Sequence, residues 1–179
     1  MTFASGQHGD ARACSRRRSI TEIKALIFGY GWNGDAANWE GSARLLSQAV
    51  ITSPNALHRD GSKLDIAKIW GSSVRAYENG SPFTRHLYDN VVILISHDDT
   101  TAMSVASQTV IQCHLPEFPA QPLGSGRIYQ SYEKHEGKWA LVHREVIYDW
   151  SGDKSSHLAF PWVVSEPRAN PSDRYAALG

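Results

Sequence analysis

Two residues of this sequence, an acid and an imidazole, have the types and settings that acid–base chemistry requires. Asp35 follows an apolar run that ends at Tyr30, and His86 lies in the strand-like segment "TRHLYDNVVILI". Histidine is suited to proton transfer because its unperturbed pKa lies near neutrality. A carboxylate that binds one ring nitrogen fixes the tautomer and makes the other nitrogen more basic. Asp35 is therefore a candidate orienting partner for a general base at His86.

Each of the two residues also has a simpler structural interpretation. Asp35 is a candidate cap for the following helix, because aspartate is common at helix N-termini and in turns. His86 is equally compatible with a solvent-exposed position on a strand. Asn38 is well placed to cap the same helix, which would leave Asp35 free. A hydrogen bond between Asp35 and His86 would support chemistry, whereas a cap at Asp35 would support the structural interpretation.

Neighbouring side chains are candidates for the walls of a pocket. Strand alternation predicts that His86, Tyr88, Asn90 and Val92 share one face. Tyr30 and Tyr88 are candidate donors to a substrate oxygen that gains negative charge. Asn90 either holds the same oxygen or bonds to nearby backbone. The predicted apolar lining consists of Trp32, Trp39, Trp70 and Val92.

Motifs for metal binding or nucleophilic catalysis are not found in the sequence. It contains no HExxH, no paired HxH, no CxxC and no GxSxG, and no glycine loop with the following helix that phosphate binding requires. His97, Asp98 and Asp99 lie at a predicted hairpin tip, where solvated polar residues are ordinary. We expect no metal, and hydrolysis is disfavoured because no residue is an obvious nucleophile.

The elements that must position these residues follow from hydrophobic periodicity. The pattern predicts one helix from a capping box at Ser19 to Tyr30, ended by Gly31 and Gly34. A second helix is predicted from Trp39 to about Gln48, and a third after Ser62, before a break at residues 79–82. Four long antiparallel strands are expected at 84–96, 101–115, 127–135 and 138–150, with residues 116–126 as an irregular connection. This order predicts the α+β class.

Composition limits the domain organisation and the partners. Residues 1–18 are predicted to be a disordered leader, 19–158 one domain, and 159–179 an irregular tail. Lysine plus arginine equals aspartate plus glutamate, at 18 each among 179 residues, which argues against nucleic acid or an anionic membrane as partner. No stretch has the apolar length of a membrane span. Cys14 and Cys113 form no disulfide framework, which favours a reducing, cytoplasmic compartment.

Four short motifs in series along the chain match a known family. The first is formed by Tyr30, Asp35 and Trp39-Glu40-Gly41, and the strand motif Thr-x-His-x-x-x-Asn begins at Thr84. The third combines Gly126-Arg127 with "EGKWALVHREVIYDW", and the fourth is "SGDKSSHL". In these motifs and their order, residues 19–158 resemble the SnoaL-like family of the nuclear transport factor 2-like superfamily. Its relatives include scytalone dehydratase, hexachlorocyclohexane dehydrochlorinase and polyketide cyclases.

The resemblance implies both a fold and a function. It implies a cone-shaped, cystatin-like α+β barrel whose curved antiparallel sheet wraps around three N-terminal helices. It implies a dehydratase, cyclase or isomerase in which His86 and Asp35 take a proton from carbon, without metal or organic cofactor. The expected substrate is a small, apolar, oxygenated compound such as a polyketide- or terpenoid-like molecule. A homodimer or homotrimer formed through the sheet is also implied. The alternative is a non-catalytic ligand-binding or assembly module of the same fold.

Overall fold

The computed structural model describes residues 6–53, 56–60 and 65–159, with side chains for 12–52 and 65–159. Three helices lie within these ranges: α1 (Gly6–Asp35), α2 (Trp39–Leu46) and α3 (Ile66–Ser73). The strands are β1 (Val50–Ser53), β2 (Ala56–Asp60), β3 (Thr84–Ile95), β4 (Thr101–His114), β5 (Phe118–His135) and β6 (Lys138–Ser151). The predicted α+β class is therefore confirmed.

The strands form one sheet in the order β2-β1-β6-β5-β4-β3. All neighbours are antiparallel except β1 and β6, which are parallel. The four long strands were predicted, but β1 and β2 were not, because their sequence is rich in turn residues. The predicted irregular connection is wrong from Phe118 onward, where β5 already pairs with β4. Register shifts in that stretch accommodate Pro119 and Pro122, which have no backbone N–H to donate.

The predicted hairpin across Glu136-Gly137 is confirmed. Both residues have positive φ angles, 51° and 78°, between the paired ends of β5 and β6. Two left-handed residues in succession match the twist of the flanking strands, as in type I′ turns.

Helix α1 begins at Gly6, so the predicted start at Ser19 and the predicted disorder of residues 6–18 are corrected. The reason is a set of long-range contacts with the tip of the β3–β4 hairpin. Ser15 and Ser19 donate to the same carboxylate oxygen of Asp99, at 3.0 and 3.1 Å. Arg16 donates to the carbonyl of Ile95 at 2.7 Å. Within the described residues, no helix has both the length and the apolar composition needed to cross a membrane.

The sheet curves around α1. This helix contacts β3 at one edge of the sheet and also β6, which lies three strands away. The buried apolar residues between helix and sheet include Ile23 and Ile27 of α1, Leu46 of α2 and Leu141 of β6. Helix α3 is capped by Asp65, whose side chain accepts from the backbone of Lys68 at 3.0 Å. The predicted cap of α3, at position 62, lies outside the described residues.

Strand β3 contains a bulge that reverses its alternation. Its pairing with β4 shifts between Asp89 and Val92, and Asn90 has a positive φ of 48°. Before the bulge, even-numbered residues face the helices, and after it Val91 and Ile93 do so. An extra residue on one strand of an antiparallel pair produces this change of face.

Candidate active site

The last residue of α1 and the first residues of β3 form the predicted acid–imidazole pair. Oδ1 of Asp35 lies 2.6 Å from Nδ1 of His86. The hydroxyl of Thr84 donates to the same oxygen at 2.9 Å, and the backbone N–H of His86 donates to Oδ2 at 2.9 Å. Three contacts from one strand therefore fix both the position and the rotation of the carboxylate.

Glycine in α1 allows the helix to lie this close to β3. A Cβ atom added at Gly31 would lie 2.8 Å from the Cβ of His86 and 2.8 Å from Cε2 of Tyr88. Gly31 and Gly34 were predicted to end the helix, but both lie within it. The close approach of the strand explains why this face of the helix has no side chain at position 31.

The predicted alternative, a cap at Asp35, is not what the structure shows. Asn38 has φ −82° and accepts from the backbone N–H of Gly41 with its side-chain oxygen at 3.0 Å, which caps α2. The prediction that Asn38 caps this helix is confirmed. The carboxylate of Asp35 is consequently available to His86.

The electrostatic environment keeps Asp35 ionised. Burial alone would raise the pKa of this carboxyl, but the hydrogen bond and positive charge of His86 and the hydroxyl of Thr84 outweigh that effect, and the pKa lies below its ordinary value. The side chains of His86 and Asp35 are only 13% and 10% exposed, which shields their contact from water. A carboxylate at Nδ1 holds the ring proton there and leaves Nε2 as the basic nitrogen.

The imidazole of His86 lies in the wall of a cavity of about 200 Å³. Tyr30, Trp39 and Trp70, which were predicted to bind substrate, also line this cavity. The ring of Tyr30 meets that of His86 edge-on, with 6.1 Å between centroids. The volume exceeds the roughly 150 Å³ of an engineered apolar cavity that holds benzene. A molecule of one or two rings is therefore the expected size of ligand.

Tyr88 lies behind the cavity wall rather than in it. Its ring packs against Phe28, and its hydroxyl is buried close to Arg144. Burial raises the pKa of this phenol above its ordinary value, although the nearby guanidinium opposes the effect. The hydroxyl of Tyr88 therefore stays protonated at neutral pH and supports the site from behind.

Three further predicted binding residues also do not face the cavity. Asn90 is exposed at the bulge, and Val92 is 45% exposed because the bulge turns it to the outer face. Trp32 is 68% exposed, and the guanidinium of Arg85 lies 5.9 Å from its ring centroid. Asn90 and Val92 were misplaced because strand alternation was applied without the bulge. Trp32 was misplaced because the position of β3 against the helix does not follow from helical spacing.

Several cavity residues were not singled out from the sequence. Lys154 and His157 enter from the segment after β6, while Gln108 and Tyr148 enter from β4 and β6. The motif "SGDKSSHL" contains both Lys154 and His157, so its polar residues directly after a buried strand were the available signal. Burial, and then the positive charges of His86 and Lys154, lower the pKa of His157 to about 4. His157 is therefore neutral at neutral pH.

Arg144 lies behind the cavity lining and is 2% exposed. Its guanidinium donates to Oε1 of Gln108 at 3.2 Å and stacks over the ring of Tyr30, 3.9 Å from the centroid. Among the described residues, no group of three or more histidine, cysteine, aspartate or glutamate side chains has the geometry to hold a metal ion.

Comparison with solved structures defines the class of fold. A candidate scytalone dehydratase from Novosphingobium aromaticivorans has a TM-score of 0.63 at 21% identity, over 88% of this chain and 98% of its own. Hexachlorocyclohexane dehydrochlorinase LinA-type3 from Novosphingobium barchaimii has a TM-score of 0.61 at 13% identity, over 86% and 99%. An NTF2-like protein with a cystatin-like fold from N. aromaticivorans has a TM-score of 0.63 at 14% identity, over 80% and 90%. The chain has this cystatin-like α+β fold.

The family follows from the sequence itself. The model of the SnoaL-like domain matches residues 15–145, and the chain belongs to this family. The resemblance recognised from the four motifs is thereby confirmed. No curated protein matches the sequence. The similar structures include a dehydrochlorinase and proteins of unknown function, and identities this low establish the fold alone.

Proposed function

We propose that this protein is a cofactor-independent lyase or isomerase of the dehydratase or cyclase type. Its substrate is a small, largely apolar, oxygenated compound, such as a polyketide- or terpenoid-like molecule. The observation that carries the proposal is the 2.6 Å contact between Asp35 and His86 in the wall of a cavity. The fold shared with a dehydrochlorinase and a candidate scytalone dehydratase supports the same class of reaction.

The first step is removal of a proton from carbon by His86. With its Nδ1 proton directed at the carboxylate of Asp35, the ring presents the lone pair of Nε2. The proton comes from a carbon next to a carbonyl or one atom away from a leaving group. The imidazolium that forms is stabilised by the ionised Asp35, because its positive charge then lies beside the carboxylate, with 2.6 Å between Nδ1 and Oδ1.

The second step depends on the substrate. In a dehydration, the electrons of the broken C–H bond form the new C=C bond, and the hydroxyl leaves with the electrons of the C–O bond. The imidazolium of His86 returns its proton to that oxygen, so water is released and the enzyme regains its starting state. In an isomerisation, the same proton returns to a different carbon.

The walls position the substrate for this transfer. Trp39 and Trp70 supply flat apolar surface, and the hydroxyl of Tyr30, whose ring meets that of His86 edge-on, is the proposed donor to a substrate oxygen. The cavity volume of about 200 Å³ favours substrates of one or two rings. Such walls exclude water and so strengthen the charge interactions at the pair.

The proposal is tested with a probe that reports proton abstraction without requiring the natural substrate. The probe is 5-nitrobenzisoxazole, in which removal of the ring C–H proton breaks the N–O bond and gives a nitrile and a coloured phenolate. Wild type should accelerate this reaction in a saturable manner. His86→Ala should lose roughly 10²- to 10⁴-fold of the enzymatic rate, the usual contribution of a general base.

A matched histidine variant serves as control. His135 lies at the exposed β5–β6 turn, where its side chain is 58% exposed, and His135→Ala should retain the wild-type rate. Equal rates in wild type and His86→Ala would refute the proposed acid–base function. They would instead favour a non-catalytic binding module of the same fold.

We also propose that the protein forms a homodimer or homotrimer through the outer face of its sheet. Leu87, Val92, Leu94 and Met103 are each 43–50% exposed on β3 and β4, and Leu94 pairs directly with Met103. Contiguous exposed apolar surface of this kind is typical of interaction sites. Light scattering should show an oligomer that Leu94→Glu dissociates; a monomeric wild type would contradict this.

Free thiols at Cys14 and Cys113 support a cytoplasmic location.

A further inference from the structure

The cavity has an asymmetric distribution of charge. Lys154, His157 and Tyr30 line it together with His86, and the lining contributed by the described residues contains no aspartate or glutamate. The carboxylate of Asp35 lies behind the imidazole with its contacts taken by Thr84 and His86. The described part of the lining therefore presents cationic and neutral groups to the interior of the cavity.

Lys154 is the main source of this imbalance. Its ammonium nitrogen lies 4.6 Å from the ring centroid of Tyr148, another wall residue. No carboxylate of a described residue lies within ion-pair distance of it. Burial lowers the pKa of Lys154, since its charge is partly removed from water. An anionic ligand would offset that cost.

His157 places a second polar group beside Lys154. The two residues share one turn, in which the backbone N–H of His157 donates to the carbonyl of Lys154 at 2.9 Å. Nδ1 of His157 is buried and forms no hydrogen bond with any described residue. The imidazole therefore has unused hydrogen-bonding capacity and adds no charge of its own.

Arg144 is a second cation, held against two residues of the cavity lining. Its guanidinium is stacked on Tyr30 and bonded to the neutral amide of Gln108, and the described residues contribute no carboxylate to it. Nη1 of this group lacks a hydrogen-bond partner in the described part of the chain. One half-buried cation, Lys154, therefore lines the cavity of about 200 Å³, and one buried cation, Arg144, lies behind its lining.

We propose that the substrate carries a carboxylate, which binds to Lys154 and His157 in the cavity that His86 also lines. This inference rests on the proposed function, because it takes the same cavity as the substrate site. It narrows the substrate class from apolar oxygenated compounds to acids of one- or two-ring size. The ammonium of Lys154 binds the charge, and His157 contributes a directional hydrogen bond to one oxygen. The apolar walls at Trp39 and Trp70 hold the ring.

The test compares two probes of the same shape and different charge, benzoate and benzamide. Quenching of tryptophan fluorescence reports binding, because Trp39 and Trp70 line the cavity. Wild type should bind benzoate at least about tenfold more tightly than benzamide, as expected for one hydrogen-bonded charge pair. Lys154→Met should remove this preference and leave the benzamide affinity within about threefold of wild type.

A matched lysine variant controls for general charge effects. Lys138 is exposed at the β5–β6 turn, and Lys138→Met should keep the wild-type preference for benzoate. Equal binding of the two probes by folded wild-type protein would overturn the inference, and so would a preference that survives in Lys154→Met. Binding by His86→Ala separates the two proposals. A retained preference with lost proton abstraction supports both, whereas abstraction without any preference supports the proposed function alone.

Discussion

Asp35→Asn separates the charge of the carboxylate from its shape. In the native site, Oδ1 accepts from Thr84 and from the ring of His86, and Oδ2 accepts from the backbone N–H of His86. Asparagine has one acceptor oxygen and one donor group at these two positions. If the amide donor faces the backbone N–H, that buried N–H loses its acceptor. If it faces the ring, His86 must accept at Nδ1 and carry its proton on Nε2.

The second arrangement disables the base, because a protonated Nε2 has no lone pair for the substrate. In the serine protease triad, the corresponding exchange lowers kcat about 10⁴-fold through the wrong tautomer. We expect a loss of roughly 10²- to 10⁴-fold in the rate with 5-nitrobenzisoxazole. Replacement of a charged acceptor should also lower the free energy of unfolding by about 1.5–3 kcal/mol.

Three measurements on the same variant test this reasoning. Initial rates with 5-nitrobenzisoxazole give the catalytic effect, and urea unfolding gives the change in stability. The ¹⁵N chemical shifts of the imidazole show which ring nitrogen of His86 carries the proton. Asp65→Asn is the matched control, because Asp65 caps α3 and asparagine caps a helix about equally well. A full rate in Asp35→Asn with the proton on Nε2 of His86 would refute the orienting role of Asp35, whereas an unprotonated Nε2 would show that the amide donor faces the backbone N–H of His86 instead.

Three further predictions follow from the same contacts. Gly31→Ala should lower the free energy of unfolding, measured with urea, by about 1–3 kcal/mol, because the added Cβ would lie 2.8 Å from that of His86. Gly29→Ala is the matched control: its Cβ would meet Leu45 at 3.4 Å, an ordinary contact, so this variant should be as stable as wild type or more stable. Asn38→Ala should cost about 1 kcal/mol by the same measurement, because it removes the cap of α2. The pKa of Asp35 is depressed, so the stability it contributes is present above the unfolded-state pKa of about 3.9 and is lost as pH falls through the lower folded-state pKa. The urea midpoints of wild type and Asp35→Asn should therefore converge below pH about 4 and stay apart near neutrality; a constant difference down to pH about 2 would contradict this.

The parts of the site that depend on local patterns were predictable from the sequence. Asn38 precedes an amphipathic segment at the position where a cap is required, and it caps that helix. The placement of Asp35 opposite His86 followed from four motifs in series rather than from spacing. Trp39 and Trp70 lie on the helix faces that periodicity assigned to the interior, and both line the cavity.

The remaining parts depend on contacts between distant segments. Nothing local distinguishes Asn90 as the bulged residue, and that one residue reverses the faces of everything after it in β3. Residues 6–18 are polar enough to suggest disorder, yet Asp99, more than eighty positions away, provides partners for Ser15 and Ser19. The arrival of Lys154 at the cavity likewise depends on the path of the chain after β6.

The long first helix has a consequence for how accurately the acid–base pair can be set. One carboxylate, that of Asp99, joins the sheet to Ser15 and Ser19, and a second, that of Asp35, joins the other end of the helix to β3. The sixteen-residue separation between Ser19 and Asp35 corresponds to about 24 Å along the helix. A slide of a single residue would move Asp35 by about 1.5 Å and rotate it by about 100°, which would break both attachments at once. The register of the helix along the sheet is thus fixed at two distant points, and the alignment of acid and base depends on the position of the whole helix.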